Sequence, residues 1–153
     1  GLKKTPDPLV CTMHYPLHHI GMVVESIDEA AATYARRFGY ERRSPIYEDP
    51  VQAALVQFWQ LPGGSHYLEL VSPNGSDSHL HEALKKGRRL NHLCFVVDDI
   101  DAACERLRAD GMFLIQAPVE AVAFRPRKIA WLMGRDGVPI ELVEAGEHIW
   151  PPA

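Results

Sequence analysis

Hydrophobic and polar positions along the chain follow two periodicities that succeed one another in a regular order. Between Ile27 and Phe38 the apolar residues recur at i, i+3, i+4, i+7 and i+8, which predicts one buried stripe of an amphipathic helix. Ser26 and Glu29 have the S-x-x-E form of a capping box, and Gly39 stands where a left-handed cap would end the helix. Short apolar runs bounded by turn residues predict strands on both sides. The first half of the chain is therefore predicted to fold as strand, helix and three further strands.

The same succession of elements occurs a second time. HHIGMVVESIDEAAATYARRFG (18–39) aligns with NHLCFVVDDIDAACERLRADG (91–111), and the offset between them is 73 residues. QFWQLPGGSHYLELV (57–71) aligns with IAWLMGRDGVPIELV (129–143) at an offset of 72. A near-constant offset in two separated blocks indicates that one supersecondary unit is duplicated. We therefore predict an α+β fold built from two βαβββ units.

These units have predicted bounds. Unit one spans about residues 16–72, a linking helix about 76–87 and unit two about 90–145, within a single domain over 1–153. In unit one the strands after the helix are predicted over 40–47, 53–61 and 67–71. Their counterparts in unit two are predicted over 113–116, 128–133 and 139–143, which brings the total to eight strands.

Composition excludes several classes of partner. Sixteen Lys and Arg against twenty Asp and Glu give a net charge of -4, so no overall charge attracts nucleic acid or an anionic membrane. No apolar run approaches the ~20 residues of a membrane-spanning helix, and we expect a soluble cytoplasmic protein. The three cysteines, Cys11, Cys94 and Cys104, have irregular spacing without a CxxC, which indicates neither a disulfide framework nor a thiolate zinc site.

Two histidines and two glutamates occupy matching places in the two units. His19 and Glu69 are 50 residues apart, and their counterparts His92 and Glu141 are 49 apart. Both carboxylates lie in apolar strands, YLELV and PIELV, where an unpaired buried charge would cost on the order of several kcal/mol. Two imidazoles and two carboxylates would hold a divalent cation, and this ligand set suits Zn, Ni, Co, Fe(II) or Mn(II) better than Ca or Mg. We therefore predict one metal site formed by these four residues.

Other candidate residues have an ordinary structural interpretation. Six histidines have no counterpart in the repeat, and we predict surface or loop positions for them: His14, His18, His66, His79, His81 and His148. Cys94 is predicted to be small core filler on the strand face of His92. Four aromatic residues either line a cavity or belong to the core: Phe58, Trp59, Tyr67 and Trp131. Three basic residues either meet an anionic substrate group or lie on a solvated edge: Arg125, Arg127 and Lys128.

The chain resembles the vicinal oxygen chelate superfamily, which includes glyoxalase I, methylmalonyl-CoA epimerase, extradiol dioxygenases and bleomycin-binding proteins. The resemblance covers about residues 16–145 and rests on HHIGMVV, YLELVSP, LNHLCFVVDDIDAACERLRADG and GVPIELVE. It is strongest for the branch of methylmalonyl-CoA epimerase and glyoxalase I, which implies a cupped, mixed, eight-stranded sheet around a metal. The ligand positions of that branch fall on His19, Glu69, His92 and Glu141. Epimerases often have Gln at the position of Glu69, whereas glyoxalase I has Glu.

The resemblance also implies a reaction. The metal would polarise a substrate carbonyl while a carboxylate removes the proton from the neighbouring carbon, with Glu141 the first candidate for this base and Glu69 the second. Some epimerases have a further acidic residue on the third strand of unit one, where this chain has Gln57, and an amide cannot carry a proton away. Glu48 and Asp49 would substitute for it only if their loop folds over the cavity.

The expected activity is therefore that of a metal-dependent isomerase similar to methylmalonyl-CoA epimerase, acting on an acyl thioester. A glyoxalase I-like lactoylglutathione lyase acting on a hemithioacetal is one alternative, and an Fe(II) dioxygenase or a non-catalytic binding or resistance protein are others. Because members of this superfamily are often dimers and strand edges favour a covering copy, we expect a homodimer.

Overall fold

The computed structural model describes residues 13–148 and 150–151, so Cys11 lies outside the described residues. Three helices and nine strands are formed. The strands are β1 (Leu17–Val23), β2 (Glu41–Arg42), β3 (Tyr47–Asp49), β4 (Ala54–Gln60), β5 (Tyr67–Pro73), β6 (Leu90–Val97), β7 (Phe113–Glu120), β8 (Lys128–Met133) and β9 (Pro139–Glu144). The helices are α1 (Ile27–Phe38), α2 (Leu80–Lys85) and α3 (Ile100–Ala109).

All these strands belong to one mixed sheet with the order β2-β4-β5-β1-β6-β9-β8-β7, and β3 pairs beside β2 on β4. Within each half of the sheet the first strand runs parallel to the last, β1 to β5 and β6 to β9. The two halves meet where β1 and β6 pair antiparallel at the centre. This topology confirms the predicted α+β class, and the second half has the predicted succession of strand, helix and three strands.

The sheet has nine strands in the described residues, and the predicted number of eight was wrong. The strand predicted over 40–47 is divided into β2 and β3, both of which pair with β4. Pro45 lies between them and has no N–H to donate to the ladder. Just before it, Ser44 turns towards β4, where its Oγ accepts a hydrogen bond from the Phe58 N–H at 2.9 Å. In the second half the counterpart β7 continues for eight residues.

Helices α1 and α3 cover one face of the sheet. The predicted caps are present, because Ser26 Oγ accepts from the Glu29 N–H at 3.3 Å and Gly39 adopts φ 80° at the end of α1. Ile27 is buried as the helical stripe requires. Phe38 was predicted to be buried with it but is 59% exposed, and its ring lies against Tyr34 of the same helix.

The opposite face of the sheet has its own apolar cluster, which is formed by alternate residues of the strands together with Phe124 and Leu80 of α2. Its strand members include Val23, Val56, Phe58, Val71, Cys94, Ile129 and Val143. Cys94 is fully buried there, as predicted. The polar residues of the predicted metal site lie on this same face. Among the described residues, no helix combines the length and apolar character needed to span a membrane.

Candidate metal centre

The four predicted ligands lie together on the face of the sheet opposite α1 and α3. His19 Nε2 is 2.9 Å from His92 Nε2 and 3.0 Å from Glu141 Oε1. Glu69 Oε1 is 3.3 Å from His92 Nε2 and 3.7 Å from His19 Nε2. Donor atoms that surround one zinc ion tetrahedrally at about 2.0–2.1 Å are about 3.3 Å apart, so these separations fit one shared cation. Three of the four donors, from His19, Glu69 and His92, form a compact set within 4.8 Å of one another.

Strand register explains how residues distant in sequence converge. Glu69 on β5 and His92 on β6 are both aligned with Gly21 on β1. In a second row across the strands, His19 on β1 and Glu141 on β9 are both aligned with Cys94 on β6. In each of these two rows of aligned residues, one imidazole and one carboxylate flank a small residue, which is Gly21 in the first row and Cys94 in the second. The duplication of the unit produces two such rows side by side at the centre of the sheet.

Gly21 is required because the imidazole ring of His92 packs directly on its backbone. A Cβ at Gly21 would overlap three atoms of that ring, Cε1, Nδ1 and Nε2. Trp131 also packs edge-on against the ring, with centroids 4.7 Å apart. Contacts with the Gly21 backbone and with the indole therefore restrict the orientation of the His92 ring.

The site is buried and its charges are strongly coupled. His19, Glu69, His92 and Glu141 are each at most 7% exposed. Burial lowers the pKa of His19 to about 3, although the Glu69 carboxylate acts in the opposite direction. Burial acts on His92 in the same sense, but hydrogen bonds to Glu141 and Glu69 outweigh it and raise the pKa of His92 to about 9. The buried Glu141 Oε1 lies 3.0 Å from His19 Nε2 and 3.6 Å from His92 Nε2, so its close contacts in the site are with the two predicted imidazole ligands.

Both imidazoles are held through their second nitrogen. His92 Nδ1 lies 2.8 Å from Asn91 Oδ1 and donates to it, which leaves Nε2 as the nitrogen directed into the site. His19 Nδ1 lies 2.7 Å from His18 Nδ1, and His18 Nε2 lies 2.8 Å from His148 Nε2. The prediction that His18 and His148 are surface or loop histidines was wrong, because His18 is only 6% exposed and His148 packs against it.

A β-bulge is the physical reason for this error. Leu17 pairs with Phe95 and His19 with the adjacent Cys94, so His18 is an extra residue on β1. Strict alternation along the strand would direct His18 to the other face, whereas the bulge lets His18 and His19 both lie buried and bonded to each other. Sequence alignment could have suggested this role, since His18 aligns with Asn91 in the repeat.

A cavity of about 370 Å³ opens beside the four residues and is lined by Glu69 and Glu141. Trp131 and Arg125 also line it. For these two residues the alternative of a position at the cavity therefore holds. The cavity wall in the second half comes largely from β7, β8 and the segment between them, including Ile115, Val119, Ala121, Ala123, Phe124 and Ile129. This size and mostly apolar character suit a small-molecule site.

The unit-one loop contributes to the cavity, and Gln57 does not. Asp49 and Gln52 line the cavity, and the Asp49 carboxylate accepts hydrogen bonds from the Gln52 side chain at 2.9 Å and the Val51 N–H at 3.0 Å. Glu48 is exposed and bonded to Asn74. The amide of Gln57 instead donates to Ser44 O and accepts from Trp59 Nε1, while the cavity face of β4 carries Val56 and Phe58. Gln57 therefore occupies no acid–base position at this site.

Comparison with known proteins places this geometry in a family context. The pattern of the Glyoxalase/Bleomycin resistance protein/Dioxygenase superfamily matches residues 18–131. An ethylmalonyl-CoA/methylmalonyl-CoA epimerase of Cereibacter sphaeroides is 28% identical over 130 residues, 82% of this chain and 95% of that protein. A lactoylglutathione lyase of Pseudomonas aeruginosa is 33% identical over an alignment covering 95% of this chain and 90% of that protein. The crystal structure of methylmalonyl-CoA epimerase from Mycobacterium tuberculosis superimposes with a TM-score of 0.78 at 26% identity, covering 92% and 95% of the two chains.

We expect the chain to bind about one divalent ion through the four converging side chains. Replacing His92 by Ala removes a donor and leaves two buried carboxylates with one imidazole, so metal content after dialysis, measured by plasma mass spectrometry, should fall at least about tenfold. His81→Ala, at an exposed histidine of α2, is the matched control and should retain its metal. Equal retention by both variants would contradict a site at these residues.

Gly21→Ala should impair the same site without adding or removing a donor. Because the new methyl group overlaps the His92 ring, the ring must rotate away from Asn91 and from the two carboxylates. We expect zinc affinity, measured by competition with a chromophoric chelator, to fall by about tenfold or more. At Gly134 a Cβ would meet only Asp136 Oδ1 at an ordinary 3.5 Å, so Gly134→Ala should bind zinc as the parent chain does.

Proposed function

Because the chain belongs to the glyoxalase/bleomycin resistance protein/dioxygenase superfamily, we propose that it is a metal-dependent isomerase of the methylmalonyl-CoA epimerase type. It would move a proton on the carbon beside a thioester carbonyl. The observation that carries this proposal is the convergence of two imidazoles and two carboxylates at one side of a largely apolar cavity. The family relatives at 28% and 33% identity include an epimerase and a lyase, both of which support an enzyme.

His19, Glu69, His92 and Glu141 are the residues that would hold the metal, and the donor atoms of the first three form the compact set. When bound, a divalent metal supplies Lewis acidity that stabilises negative charge developing on a substrate carbonyl oxygen. Asn91 keeps Nε2 of His92 directed into the site, and Gly21 lets its ring approach the sheet. These residues orient the site and, with the surrounding apolar wall, exclude water from it.

Glu141 is our first candidate for the group that takes the proton. Its Oε1 approaches the Nε2 atoms of both histidines, at 3.0 and 3.6 Å. Because it lies beside the compact set and also lines the cavity, it can reach a substrate carbon while remaining next to the ligands.

Glu69 is the second candidate and would serve the opposite side of the substrate. An epimerase returns a proton to the other face of the carbon, which calls for an acid–base group from each half of the sheet. Glu69 and Glu141 are related by the repeat and both line the cavity. Asp49 also lies in the wall, but its oxygens already accept bonds from Val51 and Gln52, which gives it a role in shaping the loop.

A glyoxalase I-like lyase is the second candidate function, and one observation favours it. Glutamate at position 69 is the residue that the glyoxalase I branch carries, and the lactoylglutathione lyase is 33% identical over 95% of this chain. Its substrate is a hemithioacetal, which also presents a proton beside an oxygen that can meet a metal. The two candidates therefore share the site and differ in substrate.

Incubation of the zinc-, nickel-, cobalt-, iron(II)- or manganese-loaded protein in deuterated water with methylmalonyl-CoA should place deuterium at the carbon beside the thioester. NMR or mass spectrometry would measure the exchange. Glu141→Gln keeps the shape of the side chain but cannot take a proton, so its exchange rate should fall by about 10²-fold or more. Gln57→Ala is the matched control and should change the rate little, because Gln57 lies away from the cavity.

The same samples should be given the hemithioacetal of methylglyoxal and glutathione. Formation of S-lactoylglutathione without exchange into methylmalonyl-CoA would favour the lyase. Absence of turnover on both substrates with every metal would contradict an enzyme, and ligand binding that survives chelation would then favour a binding or resistance protein.

A homodimer and a cytoplasmic location both stay predictions. The edge strand β7 carries exposed apolar side chains, with Phe113 at 68% and Ile115 at 58% exposure, and a second copy could cover such an edge. We expect light scattering at micromolar concentration to give twice the mass of the chain. A monomeric mass would contradict the dimer.

A further inference from the structure

A hydrogen-bonded chain of four polar side chains begins at the candidate metal ligand His19 and reaches the last segment of the chain that the structure describes. From His19 Nδ1 it passes to His18, then to His148, whose Nδ1 lies 2.7 Å from Arg127 Nη2. Arg127 Nη1 also donates to the carbonyls of Gly146 at 3.1 Å and Glu144 at 3.3 Å. We call residues 145–148 with 150 and 151 the C-terminal strap. The three histidines and Arg127 thus tie the strap to the site.

The strap is packed as well as hydrogen-bonded. Trp150 stacks on His148 with centroids 3.9 Å apart, and on Phe58 of β4 at 4.7 Å. Its indole N–H donates to Ala123 O at 2.8 Å. The position of His148 is therefore set by contacts on both of its sides. Any change at His148 is transmitted to the segment that holds Trp150.

Arg127 fixes the direction of every hydrogen bond in this chain, because a guanidinium can only donate. His148 Nδ1 must accept, so its ring hydrogen is on Nε2 and is donated to His18 Nε2. His18 in turn has its hydrogen on Nδ1 and donates to His19 Nδ1. The remaining hydrogen of His19 is then on Nε2, where Glu141 Oε1 lies 3.0 Å away.

This direction is opposite to the one that a cation requires. A metal-ligating histidine offers a lone pair from one nitrogen and donates the hydrogen on the other, as His92 does towards Asn91. For His19 to bind through Nε2, its hydrogen must be on Nδ1 and the donors must reverse along the chain. His18 would then donate from Nε2, and His148 would carry its hydrogen on Nδ1. Each ring still carries one hydrogen and stays neutral. In the net change, His19 loses a proton at Nε2 and His148 gains one at Nδ1.

The reversed chain brings two donors together at its far end. His148 Nδ1–H would face Arg127 Nη2–H across 2.7 Å, and neither group can accept. We propose that His18, His148 and Arg127 are positioning residues that oppose cation binding at His19, so that metal binding releases the Arg127–His148 contact and loosens the C-terminal strap. This inference rests on the proposed metal site. Because coupling between two sites is reciprocal, removing the Arg127 contact must strengthen metal binding.

The zinc affinity of Arg127→Gln tests whether removing the Arg127 contact strengthens metal binding. A glutamine side chain can donate or accept, so it tolerates either direction of the chain, and zinc should bind about fivefold more tightly or better by chelator competition. Arg127→Lys keeps both charge and obligatory donor and should bind zinc as the parent chain does. Arg125→Gln removes an equal charge beside the cavity and leaves the hydrogen bonds from His19 to Arg127 intact. Any gain in zinc affinity that it shows is the electrostatic effect of losing one positive charge.

His148→Gln provides an independent variant, because its amide can also accept from His18. It too should bind zinc more tightly, whereas a residue that merely supports His19 would lower the affinity when replaced. The second measurement is hydrogen–deuterium exchange of the peptide over 145–151, which should become faster when zinc is added to the parent chain. A strap that exchanges at an equal or slower rate with zinc overturns the inference.

The outcomes separate this inference from the proposed function. If the parent chain binds no zinc, the metal site and the inference both fail. If it binds zinc, and Arg127→Gln binds no more tightly than Arg125→Gln, the coupling to the strap fails while the metal site stands.

Discussion

Two carboxylates buried among apolar strands are the constraint on which the rest of the site depends. Glu69 and Glu141 are 7% and 4% exposed, and bare burial of either charge would be strongly unfavourable. Two imidazoles are placed within 3.0 to 3.7 Å of them, and one, His92, is driven towards its protonated form. The neighbouring features follow from this need: a glycine beneath the ring, an amide on its second nitrogen and an open cavity on the remaining side.

Much of the fold and of the site could be predicted because the sequence contains the same supersecondary unit twice. The offset of 72 or 73 residues located both units, their capped helices and the four converging residues, since equivalent positions in duplicated strands point to the same side of a common sheet. The resemblance to the superfamily, predicted from motifs such as YLELVSP and GVPIELVE, is confirmed over residues 18–131. Symmetry was informative wherever both copies obey regular strand geometry.

The errors occurred where strand geometry is irregular. The strand predicted over 40–47 is divided into β2 and β3 around Pro45, whereas its counterpart β7 stays one strand although it contains Pro118 and its register with β8 shifts there. The bulge at His18 places its imidazole on the same face as His19, whereas regular alternation along β1 would place it on the opposite face. Gln57, which stands where some epimerases have an acidic residue, was expected to carry no proton, and its amide is bonded to Ser44 O and Trp59 Nε1 instead. Hydrophobic periodicity contains no information on where an extra residue enters a ladder.

The two bulges show how duplicated units come to differ in chemistry. Asn91 is the extra residue on β6, as His18 is on β1, because Gly21 pairs with His92 while Met22 pairs with Leu90. Each extra residue holds the Nδ1 of the histidine that follows it, so the architecture of the support is the same. An amide oxygen can only accept, whereas an imidazole transmits the direction imposed by its next partner. One copy therefore fixes its ligand locally, and the other makes its ligand depend on Arg127 at the far end of a hydrogen-bonded chain.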